Sequence, residues 1–253
     1  MKIIGIIQAR VGSSRRPDKI FADINGKPLI EILITRMRAV KKIKKLIIAT
    51  TEEKEDDQLE EWSIRNNISC FRGSKENVLS RFYYCAIKHQ ADIVVRITGD
   101  DPLKDPFVTN HAIELLLKDD NLDYVSNTIK PSYPEGIDIE VFRFNALKKA
   151  FNLATKESDL EHVTPFIWRN KNIFKSLNFT DKEDFSNLRL TVDYEEDLIV
   201  ISAIMKKFKN QPLISYNNVI NFLIKSPEIT SINSNIIRNE GYIKSIKLEE
   251  KNE

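Results

Sequence analysis

Short apolar runs alternate with longer amphipathic segments over the first hundred residues of the chain. The runs have the length and the β-branched content of buried strands. The segments between them have helical spacing, with apolar residues that recur every three or four positions. This alternation predicts a parallel α/β sheet, and the right-handed crossover rule places helices on both of its faces. The predicted strands are 3–7, 46–49, 68–71 and 93–97, and the predicted helices are 28–40, 54–66 and 78–89.

The alternation becomes less regular after residue 98. Pro131, Pro134 and Gly136 mark a loop in this part of the chain. The segment from residue 226 onward is polar and rich in Asn, Lys and Glu, which is typical of a loosely attached tail. We therefore expect one domain at residues 1–225 and a C-terminal tail at residues 226–253. Further helices are predicted at 107–118, 159–168 and 195–207, and further strands at 124–127, 137–142 and 188–192.

The charges of the chain are almost balanced. Its 253 residues include 39 Lys and Arg against 37 Asp and Glu, which gives a formal charge of +2. No overall field favours a nucleic acid or a membrane surface as partner, so any recognition of an anion must be local. No apolar run approaches the roughly 18 residues of a membrane span, and the first residues lack a signal-peptide pattern, so we expect a cytoplasmic protein. Cys70 and Cys85 are far apart, which favours reduced core residues.

A basic loop follows the first predicted strand, and ligands of parallel α/β sheets bind at the carboxyl ends of strands. Gly12 and Ser13 offer small side chains, backbone N–H groups and a hydroxyl that can surround a phosphate. Arg15 can bind phosphate oxygens with two nitrogens, and Lys19 can neutralise a further charge. The loop matches neither the Walker A motif nor GxGxxG. Its alternative interpretation is a solvated basic loop.

Aspartates follow two of the predicted strands. Asp100 comes shortly after the strand 93–97, and Asp193 comes directly after the strand 188–192. Carboxylates at such strand ends can hold Mg²⁺ beside bound phosphates, and Gly99 allows a ligand to approach the backbone. The alternative is that both aspartates belong to turns that cap the following helices. Together with the basic loop, the two acids predict a site for phosphate and metal.

Five segments of the chain form a specific combination: QARVGSSRRPDKIFADINGKPLI, FRGSKENVLSRFYYCA, RITGDDPLKDP, YPEGIDIEVF and LEHVTPF. The first of them, at residues 8–30, resembles the N-terminal signature of the sugar cytidylyltransferases, the family that includes the CMP-KDO and CMP-sialic acid synthetases. The other four resemble the SpsF-like branch, which is associated with spore-coat polysaccharide. The resemblance extends over residues 3–225.

The resemblance implies a glycosyltransferase-A-like, Rossmann-like nucleotidyltransferase fold with a mostly parallel mixed sheet flanked by helices. It also implies CTP as the nucleotide, Mg²⁺ as the cofactor and a homodimer. In the implied reaction, an acceptor oxygen attacks the α-phosphorus of CTP and displaces pyrophosphate. CMP is thereby coupled to a sugar acid, or to a phosphorylated sugar or polyol, for surface polysaccharide or glycan biosynthesis. Catalysis of such a displacement depends on positioning and on charge stabilisation.

The resemblance also implies roles for individual residues. Arg10, Ser13, Arg15 and Lys19 are expected to contact the CTP phosphates, Ala9 and Gly12 to line the nucleotide pocket, and Thr50, Thr51, Arg72 and Ser74 to surround the cytosine and ribose. Asp100 matches the metal-binding aspartate of the family, beside the nucleotide, and Asp193 is the expected second metal ligand. Arg15, Lys19 and Asp100 are the expected catalytic residues.

The acceptor is expected to bind the segments YPEGIDIEVF and LEHVTPF. Its candidate residues are Glu135, Asp138, Glu140 and His162. Asp138 and Glu140 share one face of a predicted strand, and His162 can titrate near neutral pH. The alternatives are a solvated acidic surface and a histidine packed on a helix. Two other functions stay open, namely a glycosyltransferase of the same fold class and a noncatalytic nucleotide-binding subunit.

Overall fold

The computed structural model describes residues 1–12 and 15–252 of the chain. Ser13, which is predicted to contact phosphate, lies outside the described residues. A seven-stranded sheet with the strand order β3-β2-β1-β4-β6-β5-β7 forms the centre of the fold. The strands are β1 (Ile3–Gln8), β2 (Lys45–Thr51), β3 (Ser69–Gly73), β4 (Ile93–Thr98), β5 (Tyr124–Ser126), β6 (Glu140–Arg143) and β7 (Ser176–Asn178).

Helices flank the sheet, and most of them follow amphipathic segments of the sequence. In α1, Leu29, Leu33 and Met37 recur at helical spacing and are fully buried. The helices are α1 (Leu29–Arg38), α2 (Asp57–Arg65), α3 (Val78–Lys88), α4 (Pro106–Lys118), α5 (Phe144–Leu153), α6 (Glu157–His162), α7 (Pro165–Arg169), α8 (Glu195–Lys207), α9 (Tyr216–Ile224), α10 (Pro227–Thr230) and α11 (Glu240–Asn252).

The two faces of the sheet bury two separate hydrophobic clusters. Along β1, Ile3 and Ile7 belong to one cluster, whereas Ile4 and Ile6 belong to the other. This division arises because successive side chains of a strand point to opposite faces of the sheet. Helices α1, α4, α8 and α9 cover the first cluster, and helices α3, α5 and α7 cover the second. The α/β sheet flanked by helices that the sequence predicts is confirmed.

Strand β6 runs antiparallel to both of its neighbours, which makes the sheet mixed. The strands β1 to β4 pair in parallel with one another, and β5 pairs in parallel with β7. Because β6 has the opposite direction, its first residue, Glu140, lies opposite Arg96 near the carboxyl end of β4. The segment that precedes β6 is thereby brought to the edge of the sheet at which β1 and β4 end.

Two predicted elements differ from the structure. Residues 188–192 form no strand, because their backbone bonds go to loops: the Leu190 N–H donates to the carbonyl of Glu135 (2.7 Å) and the Val192 N–H to the carbonyl of Asp100 (2.9 Å). The single helix predicted at 159–168 is divided into α6 and α7. Val163 has a positive φ of 72° between them. No sequence pattern described above predicts α5, β7, α9, α10 or α11.

The segment 226–252 contacts the rest of the chain at several places. Asn233 is buried and donates hydrogen bonds to the carbonyl of Arg189 (3.1 Å) and to the carboxylate of Asp197 (2.9 Å). Helix α11 packs against α6, where Glu249 accepts a hydrogen bond from the N–H of Ser158. The domain boundary at residue 225 stays a prediction, while these contacts attach the last helix to the body of the fold.

Both cysteines are free thiols in the hydrophobic clusters. Cys85 is buried and Cys70 is half-buried. Burial raises the pKa of the Cys70 thiol to about 11 and that of the Cys85 thiol to about 12. The two side chains therefore stay protonated at neutral pH. Within residues 1–12 and 15–252, no helix is both long and apolar enough to span a membrane.

Candidate active site

A cavity of about 1080 Å³ opens at the carboxyl ends of β1 and β4. The turn after β4 packs directly against the end of β1, since a Cβ atom on Gly99 would lie 2.8 Å from the Cβ of Ala9 and 2.9 Å from the carbonyl oxygen of Gln8. Only glycine fits this approach without a shift of the backbone. The predicted site residues on the cavity wall are Ala9, Arg10, Arg15, Lys19, Asp100, Glu135, Asp138, Glu140, His162 and Asp193.

Lys19, Asp100 and Asp193 form one cluster in this cavity. The ammonium Nζ of Lys19 lies 2.5 Å from Oδ2 of Asp100 and 2.7 Å from Oδ1 of Asp193. Lys19 is 8% exposed, and it reaches the acids from a single 3₁₀ turn, Lys19–Phe21, that follows Asp18 in the left-handed region at φ 56°. Residues from three distant parts of the chain are thus brought to one point.

Arg189 holds the carboxylate of Asp193 through the oxygen that does not face Lys19. Its Nη2 donates to Oδ2 of Asp193 (3.1 Å), and its Nε donates to Oδ1 of Asp197 (2.8 Å). The same guanidinium forms an ion pair with Glu135 (2.5 Å). Oδ1 of Asp193 is therefore left to face Lys19 and Arg15, whose Nη2 lies 2.7 Å away.

The two aspartates have opposite pKa shifts. Burial raises the pKa of Asp100, and the negative charges of Asp101 and Asp193 act in the same direction, although Lys19 opposes them. Burial also acts to raise the pKa of Asp193, but Lys19, Arg15 and Arg189 outweigh it, so that its pKa is lowered. Burial acts to lower the pKa of Lys19, and the two aspartates raise it overall. Lys19 and Asp193 are charged at neutral pH.

The acids predicted to bind the acceptor are held by neighbouring side chains. Glu140 is buried and accepts hydrogen bonds from Arg96, Thr164 and the hydroxyl of Tyr124 (2.6 Å). These donors outweigh burial, so the pKa of Glu140 is lowered. Asp138 forms an ion pair with Arg238.

Glu135 is linked to the Lys19 cluster through Arg189, which pairs with both Glu135 and Asp193. It accepts a hydrogen bond from the N–H of Asn239 (2.9 Å) in addition to its ion pair with Arg189. Burial nevertheless raises the pKa of Glu135 to about 7. Its carboxyl group therefore titrates in the physiological range.

A tight turn places His162 at the cavity. The Thr164 N–H donates to the carbonyl of His162 (2.8 Å), and Val163 between them has φ 72° and ψ −53°. This is a γ-turn of the strained kind, which a β-branched residue adopts only where the surrounding structure enforces it. Nε2 of His162 lies 3.0 Å from the hydroxyl of Ser245, and its ring contacts Tyr242 edge-on. Burial lowers the pKa of His162.

Several predicted nucleotide residues lie away from the cavity wall. Thr51 is buried, and its hydroxyl donates to Asp56. Arg72 is held by ion pairs with Asp57 (2.5 Å) and Glu60 (2.9 Å), and its Nε donates to the carbonyl of Thr51. The predicted residues that the structure does not place on the wall of this cavity are Gly12, Thr50, Thr51, Arg72 and Ser74. Their contact with a nucleotide stays a prediction.

The cavity contains basic residues that the sequence analysis missed. Arg81 lies on α3 among the apolar positions Val78, Leu79 and Phe82. Arg96 lies inside the apolar strand β4. A charged residue on an otherwise apolar face is a signal in the sequence, because an unpaired charge is costly to bury. Helix α11 also contributes to the wall, and no motif indicated this.

An α/β sheet that gathers basic and acidic side chains at the carboxyl ends of β1 and β4 is the arrangement of nucleotide-handling enzymes. The chain belongs to the cytidylyltransferase family, whose model matches residues 4–225. The resemblance inferred from the sequence is confirmed, and the protein is a nucleotidyltransferase.

Individual relatives support the same assignment. The chain is 33% identical over 233 residues to the spore coat polysaccharide biosynthesis protein SpsF of Bacillus subtilis, a match that covers 89% of this chain and 95% of that protein. It is 29% identical over 174 residues to a 3-deoxy-manno-octulosonate cytidylyltransferase of Chlamydia trachomatis, covering 65% of this chain and 66% of that enzyme. The structure of a cytidylyltransferase from Leptospira borgpetersenii matches with a TM-score of 0.88 and 30% identity, covering 95% of this chain and all of that one (100%).

Proposed function

We propose that the protein transfers CMP from CTP to an oxygen of a sugar acid and releases pyrophosphate. The observation that carries the proposal is the convergence of Asp100 and Asp193 on Lys19 in a cavity that also contains Arg10 and Arg15. A nucleoside triphosphate needs both cations for its phosphate oxygens and carboxylates for an accompanying metal ion. The named activity of the Chlamydia relative supports a sugar acid as acceptor.

The two aspartates fit a magnesium ion that is shared with phosphates. Their oxygens point at one position, now taken by the Lys19 ammonium group, and Mg²⁺ is often held by one or two carboxylates together with phosphate oxygens and water. Within residues 1–12 and 15–252, no group of three His, Cys, Asp or Glu side chains is arranged to hold a metal alone. Asp100 and Asp193 would hold the ion, which supplies positive charge to the phosphate oxygens when bound.

The basic residues of the cavity act on the triphosphate. Arg15 and Lys19 stabilise the negative charge that develops on the leaving pyrophosphate oxygens, and Arg10 binds a further phosphate oxygen. The new bond joins the acceptor oxygen to the α-phosphorus, and the bond that breaks joins this phosphorus to the bridging oxygen of the pyrophosphate. No covalent intermediate with the protein is required.

The acceptor binds next to the Lys19 cluster, in the part of the cavity that His162 and three acids line. His162 and the acids Glu135, Asp138 and Glu140 surround this part of the cavity. Carboxylates accept hydrogen bonds from hydroxyl groups, which a sugar presents in several directions. The acceptor side therefore suits a polyhydroxylated molecule whose attacking oxygen faces the triphosphate.

Pyrophosphate release tests the proposed function. The protein is incubated with Mg²⁺, each of the four nucleoside triphosphates, and a panel of sugar acids, phosphorylated sugars and phosphorylated polyols. The expected result is release that requires both CTP and a sugar acid. A preference for another nucleotide, cleavage of a nucleotide-sugar, or binding of CTP without turnover with any acceptor would contradict the proposal.

The family resemblance also supports a homodimer. Light scattering is expected to give twice the chain mass of 29.3 kDa. A monomer at the concentration of the activity assay would contradict this.

A further inference from the structure

Arg81 is a buried arginine for which the described residues provide no carboxylate in an ion pair. It is 2% exposed and lies on the wall of the cavity. Its Nη1 donates to the carbonyl of Ser74 (2.8 Å), whereas its Nε is buried and has no hydrogen-bond partner among the described residues. No acid in the described part of the chain forms an ion pair with it. Burying a guanidinium in this way is costly unless another group compensates for its charge.

The other buried arginines of the protein do have such compensation. Arg36 is 0% exposed, and its three nitrogens donate to the carbonyls of Lys104 and Pro212 and to the carboxylate of Asp105. Arg189 contacts three carboxylates. Arg81 differs from both in that it faces the cavity. A group that compensates for the charge of Arg81 is therefore expected to bind in the cavity.

Arg10 adds a second unpaired cation to the same place. It follows β1 on the cavity wall, and it makes no hydrogen bond or ion pair with the residues of 1–12 and 15–252. Both guanidinium groups line the same cavity. Burial lowers the pKa of Arg81 to about 10, and the positive charge of Arg10 acts in the same direction, although Asp56 opposes it. Two neighbouring cations repel each other unless an anion lies between them.

The Lys19 cluster, by contrast, contains acids that match its cations. Lys19 and Arg15 are matched there by Asp100 and Asp193, and Glu240 lies 4.0 Å from Arg15. The cavity thus has one part with carboxylates, which suits a metal ion, and a basic part around Arg10 and Arg81, which suits an anion.

We propose that Arg81 is a nucleotide-binding residue, which forms with Arg10 a subsite for a phosphate group of the bound nucleotide. The inference rests on the proposed use of CTP. A phosphate has several oxygens and can accept hydrogen bonds from both guanidinium groups at once. Arg81 binds the carbonyl of Ser74, which directly follows β3, and the strands β2, β1 and β4 lie between β3 and the strand that begins at Glu140. This position, beside Arg10 at the end of β1, favours the nucleotide over the acceptor as the source of the anion.

Binding measurements on variants test this subsite. CTP, pyrophosphate, cytidine and a sugar acid are titrated by calorimetry into the wild type, Arg81→Gln, Arg81→Lys and Arg10→Gln. A lost charged hydrogen bond corresponds to about 10- to 100-fold weaker binding. We expect this loss for CTP in Arg81→Gln and Arg10→Gln, a smaller loss in Arg81→Lys, and unchanged binding of cytidine. Arg36→Gln is the matched control, since it removes a buried arginine outside the cavity wall and should leave the Kd of CTP unchanged.

The outcomes separate this inference from the proposed function. Unchanged CTP binding in Arg81→Gln and Arg10→Gln, or an equal loss for cytidine, overturns the subsite while the enzyme assay still stands. Weaker binding of the sugar acid alone would assign the anion to the acceptor and also overturns it. If Arg81→Gln does not fold, Arg10→Gln and Arg81→Lys decide the matter, because the Arg10 side chain has no hydrogen bond or ion pair to lose within residues 1–12 and 15–252. A wild type that does not bind CTP contradicts the proposed function itself.

Discussion

Lys19 contacts Asp193, a residue 174 positions further along the chain, through a hydrogen bond of 2.7 Å. Arg189 holds the other oxygen of the same carboxylate, so the position of Asp193 is determined from two sides. The start of the chain and the segment before α8 therefore meet at one buried pair of charges.

Asp100→Asn is expected to reduce kcat by about 100- to 1000-fold, because it removes a charge proposed to act on the metal and the phosphates. The fold should persist, since the amide is nearly isosteric and burial already raises the pKa of Asp100, which disfavours its charged form. Steady-state kinetics over a range of Mg²⁺ concentrations, with circular dichroism as the check of folding, measures the effect. Asp23→Asn, at an exposed turn, is the control. Full activity of Asp100→Asn would remove this residue from the proposed site.

Lys19→Met is expected to destabilise the protein by about 3–5 kcal/mol, since it leaves two neighbouring carboxylates without their shared cation. The loss should be greater at pH 8 than at pH 5. Without the lysine the pKa of Asp100 rises further in the folded state, and stability is lost as the pH rises through that value. Mg²⁺ should restore part of the stability, because it replaces the missing charge. Urea unfolding measures all three effects.

The control for this variant is Lys27→Met. Lys27 forms a surface ion pair with Glu31 at 3.6 Å, and such pairs contribute little to stability. Its replacement should change neither the dependence on pH nor the response to Mg²⁺. An equal response of both variants to Mg²⁺ would show that the effect is not specific to the Lys19 cluster.

Gly99→Ala is expected to reduce activity more than it reduces stability. The added methyl group would lie 2.8 Å from the Cβ of Ala9 and must push the turn that carries Asp100 away from β1. A displacement of about 1 Å at a reacting centre can reduce the rate about 100-fold. Kinetics and thermal unfolding are compared with Gly26→Ala, where no atom lies near the new methyl group but φ is 89°. A larger activity loss in the second variant would contradict this explanation.

The pKa of His162 is expected to lie below 6.5 in the folded protein. Burial lowers it first, Arg96 acts in the same direction, and Glu161, Glu140 and Glu249 oppose them only in part. The folded state therefore binds the proton less well than the unfolded state, and stability is lost as the pH falls below 6.5.

Nuclear magnetic resonance titration measures this pKa directly, with His162→Gln to assign the signal. The same variant should lose less stability than the wild type between pH 7.5 and pH 5.5. Ser245→Ala, which removes the hydrogen-bond partner of the ring but no charge, should keep the pH dependence. A titration of His162 above 6.5 would contradict the effect of burial.

The parallel half of the sheet was predictable because its signals are local. Each of β1, β2 and β4 contains a short apolar run, and the helices between the strands have an apolar stripe, as Leu29, Leu33 and Met37 show. The strand β7 was not predicted, because it has three residues, which is too short for a periodic pattern, and is only half-buried. Residues 188–192 have the apolar pattern of a strand, but their backbone N–H groups bind loop carbonyls. This pairing depends on tertiary contacts, which the local pattern does not show.

The site was predictable where the residues lie next to strand ends. Asp100 and Lys19 were found in this way, and the structure brings both to one cavity with Asp193. Thr51 and Arg72 also lie near the carboxyl ends of their strands, but Asp56 and Asp57 bind their side chains. Such binding to nearby acids has no signal in the sequence. The contribution of α11 depends on the long-range packing of α11 against α6, which periodicity does not reveal.

The contacts between the start of the chain and its later part also determine when the site can form during synthesis. The ribosome releases β1 to β4 early, and these strands can pair while the later part is still being translated. The cleft then has Lys19 and Asp100 but neither Asp193 nor Arg189, and Asn233, which binds Asp197, emerges later still. A polypeptide that lacks Asp193 is thus unable to assemble the proposed metal-binding pair, so we expect nucleotide chemistry only after this residue and Asn233 have been translated.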